Sequence, residues 1–188
     1  MRSLGIVALL CVLLLACPAV AAGPAGKEKP ADPAVAEFEQ RLNDFLKLRN
    51  EAEKASPHID GKSKPEEITA HRRQLAEEVR KRRPTARVGD VFGTELTARI
   101  GKVMAAYLGR RASPERRAVE DDKPEQTQTK ITVNGPYPAE GRAMMPPDIL
   151  KVLPRLPDGL QYRFVQDDLL LVDTRSQLII DLVPRALP

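Results

Sequence analysis

Residues 160–183 read LQYRFVQDDLLLVDTRSQLIIDLV. Three apolar runs stand out: LQYRFV (160–165), LLLVD (169–173) and QLIIDLV (177–183). Each has the length and the aromatic and β-branched content of a strand, and the separators QDD and TRS are short enough for hairpins. The stretch therefore predicts an antiparallel meander. Strand side chains alternate between faces, so Leu160, Tyr162 and Phe164 share one face, as do Leu178, Ile180 and Leu182. The opposite faces carry Val165, Val172, Ile179 and Val183, so the sheet needs cover on both sides or a partner. Asp167 and Asp168 fall in the first turn, where Asp is favoured for its local backbone bonds. Asp173 and Asp181 fall at strand positions expected to face solvent.

Upstream the apolar period is 3.6 rather than 2. Asp32-Pro33 is an N-cap followed by proline at the first helical position. Val35, Phe38, Leu42 and Phe45 then recur at three- and four-residue spacing, which predicts an amphipathic helix over 33–55. SPHIDGKS (56–63) is a loop. Ser63, Pro65, Glu66 and Glu67 open a second helix whose buried face is Ile68, His71, Leu75, Ala76 and Val79. Its last turn, Arg80-Lys81-Arg82-Arg83, complements the helix dipole, and Pro84 stops it. TARVGDVFG (85–93) connects to a third helix, capped by Thr94 and carried by Leu96, Ile100, Val103, Met104, Tyr107 and Leu108. A short helical turn is expected from Ser113. EDDKPEQ (120–126) is an acidic, proline-broken boundary. Beyond it TQTKITVN (127–134) alternates like a fourth strand, and 147–153 has room for two helical turns. The organisation read from sequence is thus a helical region, 32–119, packed as one α+β domain on a β-rich region, 127–188, with a four-stranded, mainly antiparallel sheet. Leu42, Phe45, Leu75, Ile100 and Ile180 are the expected core markers.

The first 22 residues form an address. Met1-Arg2-Ser3 is a short charged head, Leu4–Ala16 is an apolar run, and small residues follow, the layout of a secretory signal. The run is shorter than the roughly 20 residues of a membrane span. Ala19–Ala21 or Val20–Ala22 suits ordinary signal peptidase. Leu14-Leu15-Ala16-Cys17 offers the alternative of lipidation at Cys17, the only route to a membrane anchor in this reading. Gly23–Ala31 is a Pro/Gly/Lys-rich tether. Cys11 lies in the signal, and Cys17 is removed or lipidated, so the exported domain is left without a thiol, a disulfide or a thiolate metal ligand.

The sequence 162–188, YRFVQDDLLLVDTRSQLIIDLVPRALP, together with the export signal and the helical first half, resembles a group of short exported bacterial proteins without an assigned activity. The resemblance implies an α+β fold and a Gram-negative periplasm, and it brings no catalytic residues with it.

Charge supplies the functional hint. The chain has 30 Lys+Arg and 26 Asp+Glu, a net +4. Residues 64–117 hold 14 basic and 7 acidic groups, whereas 118–188 hold 8 and 11. The excess sits at Arg72, Arg73, Arg80, Lys81, Arg82, Arg83, Arg110 and Arg111, with Arg87, Arg116 and Arg117 beside them. Such a flank is either a solvated face or a site for an anionic envelope component or another envelope protein. Nucleic acid is disfavoured because the address is export and no aromatic stacking platform accompanies the charge. No G-x-S-x-G, H-E-x-x-H or phosphate-cradling loop is present, and no motif asks for a cofactor or metal. His58 reads as solvated. His71 lies on the buried stripe one turn after Glu67, which is placed to hold an imidazole proton. A hydrolase-like site around His71 and scattered carboxylates is therefore the alternative to a non-enzymatic binding module.

Overall fold

The computed structural model describes residues 32–108, 130–138, 145 and 147–186. The leader, the turn at Ser113, the acidic boundary, Thr127–Thr129, Arg110 and Arg111 lie outside the described residues.

Helix α1 spans Pro33–Lys54. The Asp32 carboxylate accepts from Ala34 N at 3.1 Å and so satisfies one of the donors that a helix start leaves unpaired. Its buried stripe is Ala34, Phe38, Leu42, Phe45, Arg49 and Ala52. Helix α2 spans Pro65–Arg82 and buries His71, Leu75, Ala76 and Val79. Helix α3 spans Gly93–Leu108, and a short helix α4 spans Pro147–Val152. Both α2 and α3 pack on α1, and α3 also touches α4 and the sheet.

Strands β1 (Leu160–Val165), β2 (Asp168–Asp173) and β3 (Leu178–Val183) form an antiparallel meander in the order β1-β2-β3. The β1–β2 hairpin turns on two residues, with Gln166 at φ 54°. Leu42, Phe45, Leu75, Ile100 and Ile180 are all buried. The helical layer covers one face of the sheet: Leu160, Tyr162, Phe164, Leu169, Leu171, Leu178, Ile180 and Val183 join the helices in one core. Phe38, Phe92 and Tyr162 stack through it, with ring centroids 5.6 and 6.3 Å apart. Val165, Leu170, Val172, Ile179 and Leu182 form a second buried cluster, against which Ile131, Val133 and Tyr137 pack.

Three expectations change here. The described part of the fourth strand, from Lys130, is not a strand. Asn134 adopts φ 60°, and the segment meets β3 through the single bridge Pro136↔Leu178. Three backbone bonds link it to the β3 edge: Asn134 N to Ile179 O, Ile179 N to Gly135 O, and Tyr137 N to Gln177 O. Turn chemistry at Asn-Gly-Pro ends the alternation before a ladder develops. Second, Leu182 does not share a face with Ile180. Leu171 pairs with Asp181 but Val172 pairs with Ile179, so Ile180 is an extra residue in β3. This bulge reverses the alternation, turning Leu182 outward and Val183 toward the helices. Third, Asp173 and Asp181 do not face solvent; both are completely buried.

Candidate functional site

A buried carboxylate must find donors or lose its charge, and Asp181 finds four. Its Oδ1 accepts from Gly89 N and Leu182 N, both at 2.8 Å. Its Oδ2 accepts from Val91 N at 2.7 Å and Phe92 N at 2.8 Å. The bulge at Ile180 thus aims a strand carboxylate at the α2–α3 connection and fixes the turn that leads into α3. Burial pushes the Asp181 carboxyl above its ordinary value, against the downward pull of those N–H groups.

Asp173 is likewise used internally. Arg49 Nη1 donates to its Oδ1 at 3.2 Å, and Ser176 donates to Oδ2 through its hydroxyl at 2.6 Å and its amide at 3.2 Å. The pair ties α1 to the β2–β3 turn. Asp168 Oδ1 accepts from Arg185 N at 2.9 Å, a local cap at the end of β3. Burial raises the Tyr162 phenol far above its usual range, and its hydroxyl donates to Pro154 O at 3.1 Å.

His71 is buried at the α1–α2 junction, its Nδ1 2.7 Å from Pro57 O. A carbonyl only accepts, so Nδ1 carries the proton in that contact. Glu67 does not face the imidazole in a hydrogen bond; its Oε2 accepts from Lys64 N at 2.7 Å and closes the first turn of α2. The reading of Glu67 as a partner for His71 is corrected accordingly. His58 is exposed, as expected. Among the described residues, no group of three or more His, Cys, Asp or Glu is placed to hold a metal ion.

The cations of α2 and of its C-cap residue, Arg83, separate into three groups. Arg72 and Arg73 are exposed. Lys81 and Arg82 share one acid, Glu78: Lys81 Nζ lies 2.8 Å from Oε1, and Arg82 Nη1 pairs with Oε2. The two cations hold the Glu78 carboxyl below its ordinary value, and Glu78 in turn raises the Lys81 ammonium. Arg80 and Arg83 turn inward. Arg80 Nε donates to Asn134 O at 2.9 Å. Arg83 lies 5.4 Å over the Phe45 ring and donates from both terminal nitrogens to Ile180 O at 3.3 Å. Asn134 completes the lock by donating Nδ2 to Arg83 O at 2.8 Å. Burial pulls the Arg83 guanidinium below its ordinary value, opposed by Asp181 and Asp90. The run Arg80–Arg83 is therefore not one surface cluster: its first and last members, Arg80 and Arg83, hold the 134 turn and the bulge, while the middle two stay exposed.

Two grooves are lined by described residues. One, about 330 Å³, is mainly apolar and lies between the start of α1, α3 and α4, with the Asp32–Arg99 ion pair at its rim. The other, about 420 Å³, is polar and is lined by Arg41, Arg87, Val88, Gly89, Asp90 and Thr94. Thr94, expected from sequence as the cap of the third helix, instead lies inside its first turn because α3 starts at Gly93; sequence does not join it to Arg41, because the two lie on different helices and only the fold brings them together. The signal nearest to hand was the pair Gly89 and Gly93, whose φ values of 88° and 72° suit glycine.

Comparison with protein-family models, with curated proteins and with solved structures found no match.

Proposed function

We propose that this is an exported envelope or periplasmic protein that acts by binding, and that its basic helical half meets an anionic component of the envelope. The observation that carries the reading is the internal use of the buried and half-buried ionisable groups. His71, Asp173, Asp181, Arg49 and Arg83 are each bonded to neighbours that hold the fold. An acid–base pair or an activated nucleophile needs such groups presented to a substrate. Toward the end of α2 the exposed cations exceed the acids: Arg72, Arg73, Lys81 and Arg82 stand against exposed Glu77 and half-buried Glu78. Lys and Arg near an anionic membrane surface contribute about 1 kcal/mol each, within a Debye length of about 8 Å at physiological salt. The leader-like N-terminus supports the location, with soluble export or lipidation at Cys17 as its two routes.

The test is co-sedimentation of the protein with anionic and with neutral vesicles at low and physiological salt. Retention on the anionic vesicles alone, falling as salt rises, is expected. Equal retention on both, or none on either, overturns the reading.

A further inference from the structure

We infer that the polar groove between α1 and the start of α3 is an oxyanion site, and that its ligand is a phosphate group held by Arg41, Arg87 and Thr94. This rests on the reading of the protein as a binder of anionic envelope components, and it names both the place and the chemistry.

Two arginines from separate elements, Arg41 of α1 and Arg87 of the α2–α3 connection, line the groove. Arg41 comes from the middle of α1 and is held in place: its Nη1 donates to Gly89 O at 3.3 Å, and its Nη2 pairs with Glu37. A Cβ on Gly93 would lie 2.8 Å from Arg41 Nη1. Glycine at 93 therefore does two things: it accepts φ 72° and it leaves room for the guanidinium to lie across the first turn of α3. Arg87 is the exposed counterpart. Its side chain is 86% exposed and its Nε is 3.5 Å from Asp90 Oδ1. Exposed pairs of this kind are worth about 0–1 kcal/mol, so a doubly charged phosphate can displace Asp90 from Arg87. Thr94, exposed in the first turn of α3, adds a hydroxyl donor.

The loop between the two arginines is built rather than loose. Arg87 N donates to Asp90 Oδ2 at 2.9 Å and Asp90 N to Arg87 O at 3.2 Å. Below it the Asp181 carboxylate grips Gly89, Val91 and Phe92. A ligand therefore meets a preformed surface, which lowers the ordering cost of binding. Guanidinium groups match the geometry of phosphate oxygens in paired hydrogen bonds, and a groove of about 420 Å³ holds a phosphate with part of what it is esterified to.

A phosphomonoester on a lipid headgroup and free phosphate share this chemistry. The experiment is a titration of the folded protein with inorganic phosphate and with glycerol phosphate, followed by amide shifts in a ¹⁵N–¹H spectrum. Saturable shifts centred on Val88, Gly89 and Thr94 are expected, with affinity reduced roughly tenfold or more in Arg87→Gln, since each charge-assisted pair is worth more than a neutral one. Arg87 makes no buried contact, so that variant keeps the fold; Lys47→Gln, which removes an exposed cation of α1 outside the groove, should titrate as wild type. A parallel arm compares vesicles of phosphatidate with vesicles of phosphatidylglycerol. Preference for phosphatidate that is lost in Arg87→Gln assigns the lipid source; saturable binding of phosphate with no such preference assigns the free one. Linear, unsaturated shifts, or shifts unchanged in Arg87→Gln, overturn the site. If that happens while anionic vesicles still retain the protein, the broader binding reading stands and this groove is not its means.

Discussion

Arg72 on α2 and Arg83, the C-cap residue of that helix, do opposite work. Arg83 is part-buried over Phe45 and satisfies Ile180 O, a bulge carbonyl. Removing its head leaves that acceptor without its donor, a loss of the order of 1–3 kcal/mol. Arg72 is exposed, where substitutions change stability by less than about 0.5 kcal/mol. Urea denaturation should therefore place Arg83→Gln well below wild type and Arg72→Gln close to it. Equal midpoints for the two variants would mean that Arg83 does not hold the bulge. A string of four basic residues before a proline carries no mark of which members turn inward. That depends on where a carbonyl from residue 180 and a ring from residue 45 arrive in space.

Among the elements, β3 and the α2–α3 connection are joined by one carboxylate. The strands and their meander order could be read from residues 160–183, because three apolar runs with short polar separators allow few other arrangements. The three main helices followed from three- and four-residue spacing with proline and acidic starts. The bulge could not be read in the same way. LIIDLV has apolar side chains at five of six positions, so either register buries them and alternation has nothing to choose between. Only Asp181 differs, and an aspartate in a strand looks solvent-facing until a set of backbone N–H groups is found opposite it. The 131–137 segment shows the converse. Ile131 and Val133 do pack on the outer cluster, but local alternation alone does not make a ladder. Asp181 also gives the connection a pH signature. The folded state raises its carboxyl, so folded protein holds that proton more tightly than the unfolded chain, whose value is about 3.9. Its contribution to stability is then full at acid pH and declines as pH rises through the raised folded value. The stability of wild type relative to Asp181→Asn, measured by denaturation across that interval, should fall with rising pH; a relative stability that climbs would contradict burial as the dominant cause.

The whole molecule combines a leader-like N-terminal sequence, a fold that uses its buried charges internally, and exposed arginines on α2. The proposed export has its own check. Sequencing of the mature N-terminus from the envelope fraction should begin between Cys17 and Gly23, and an intact Met1 there would remove the export reading. If Cys17 is lipidated, Cys17→Ala should shift the protein from the membrane to the soluble fraction. The candidate groove was illegible in sequence, because Arg41 and Thr94 are brought together only when α1 crosses the start of α3. The exposed arginines of α2 were legible as charge, though not as a surface separate from Arg80 and Arg83. That separation is the central claim, and retention on anionic vesicles across a salt series tests it most directly when wild type is set beside the double variant Arg72→Gln/Arg73→Gln. The account predicts retention that falls as salt rises, and weaker retention of the variant at every salt with an unchanged unfolding midpoint. Retention equal to wild type would contradict it.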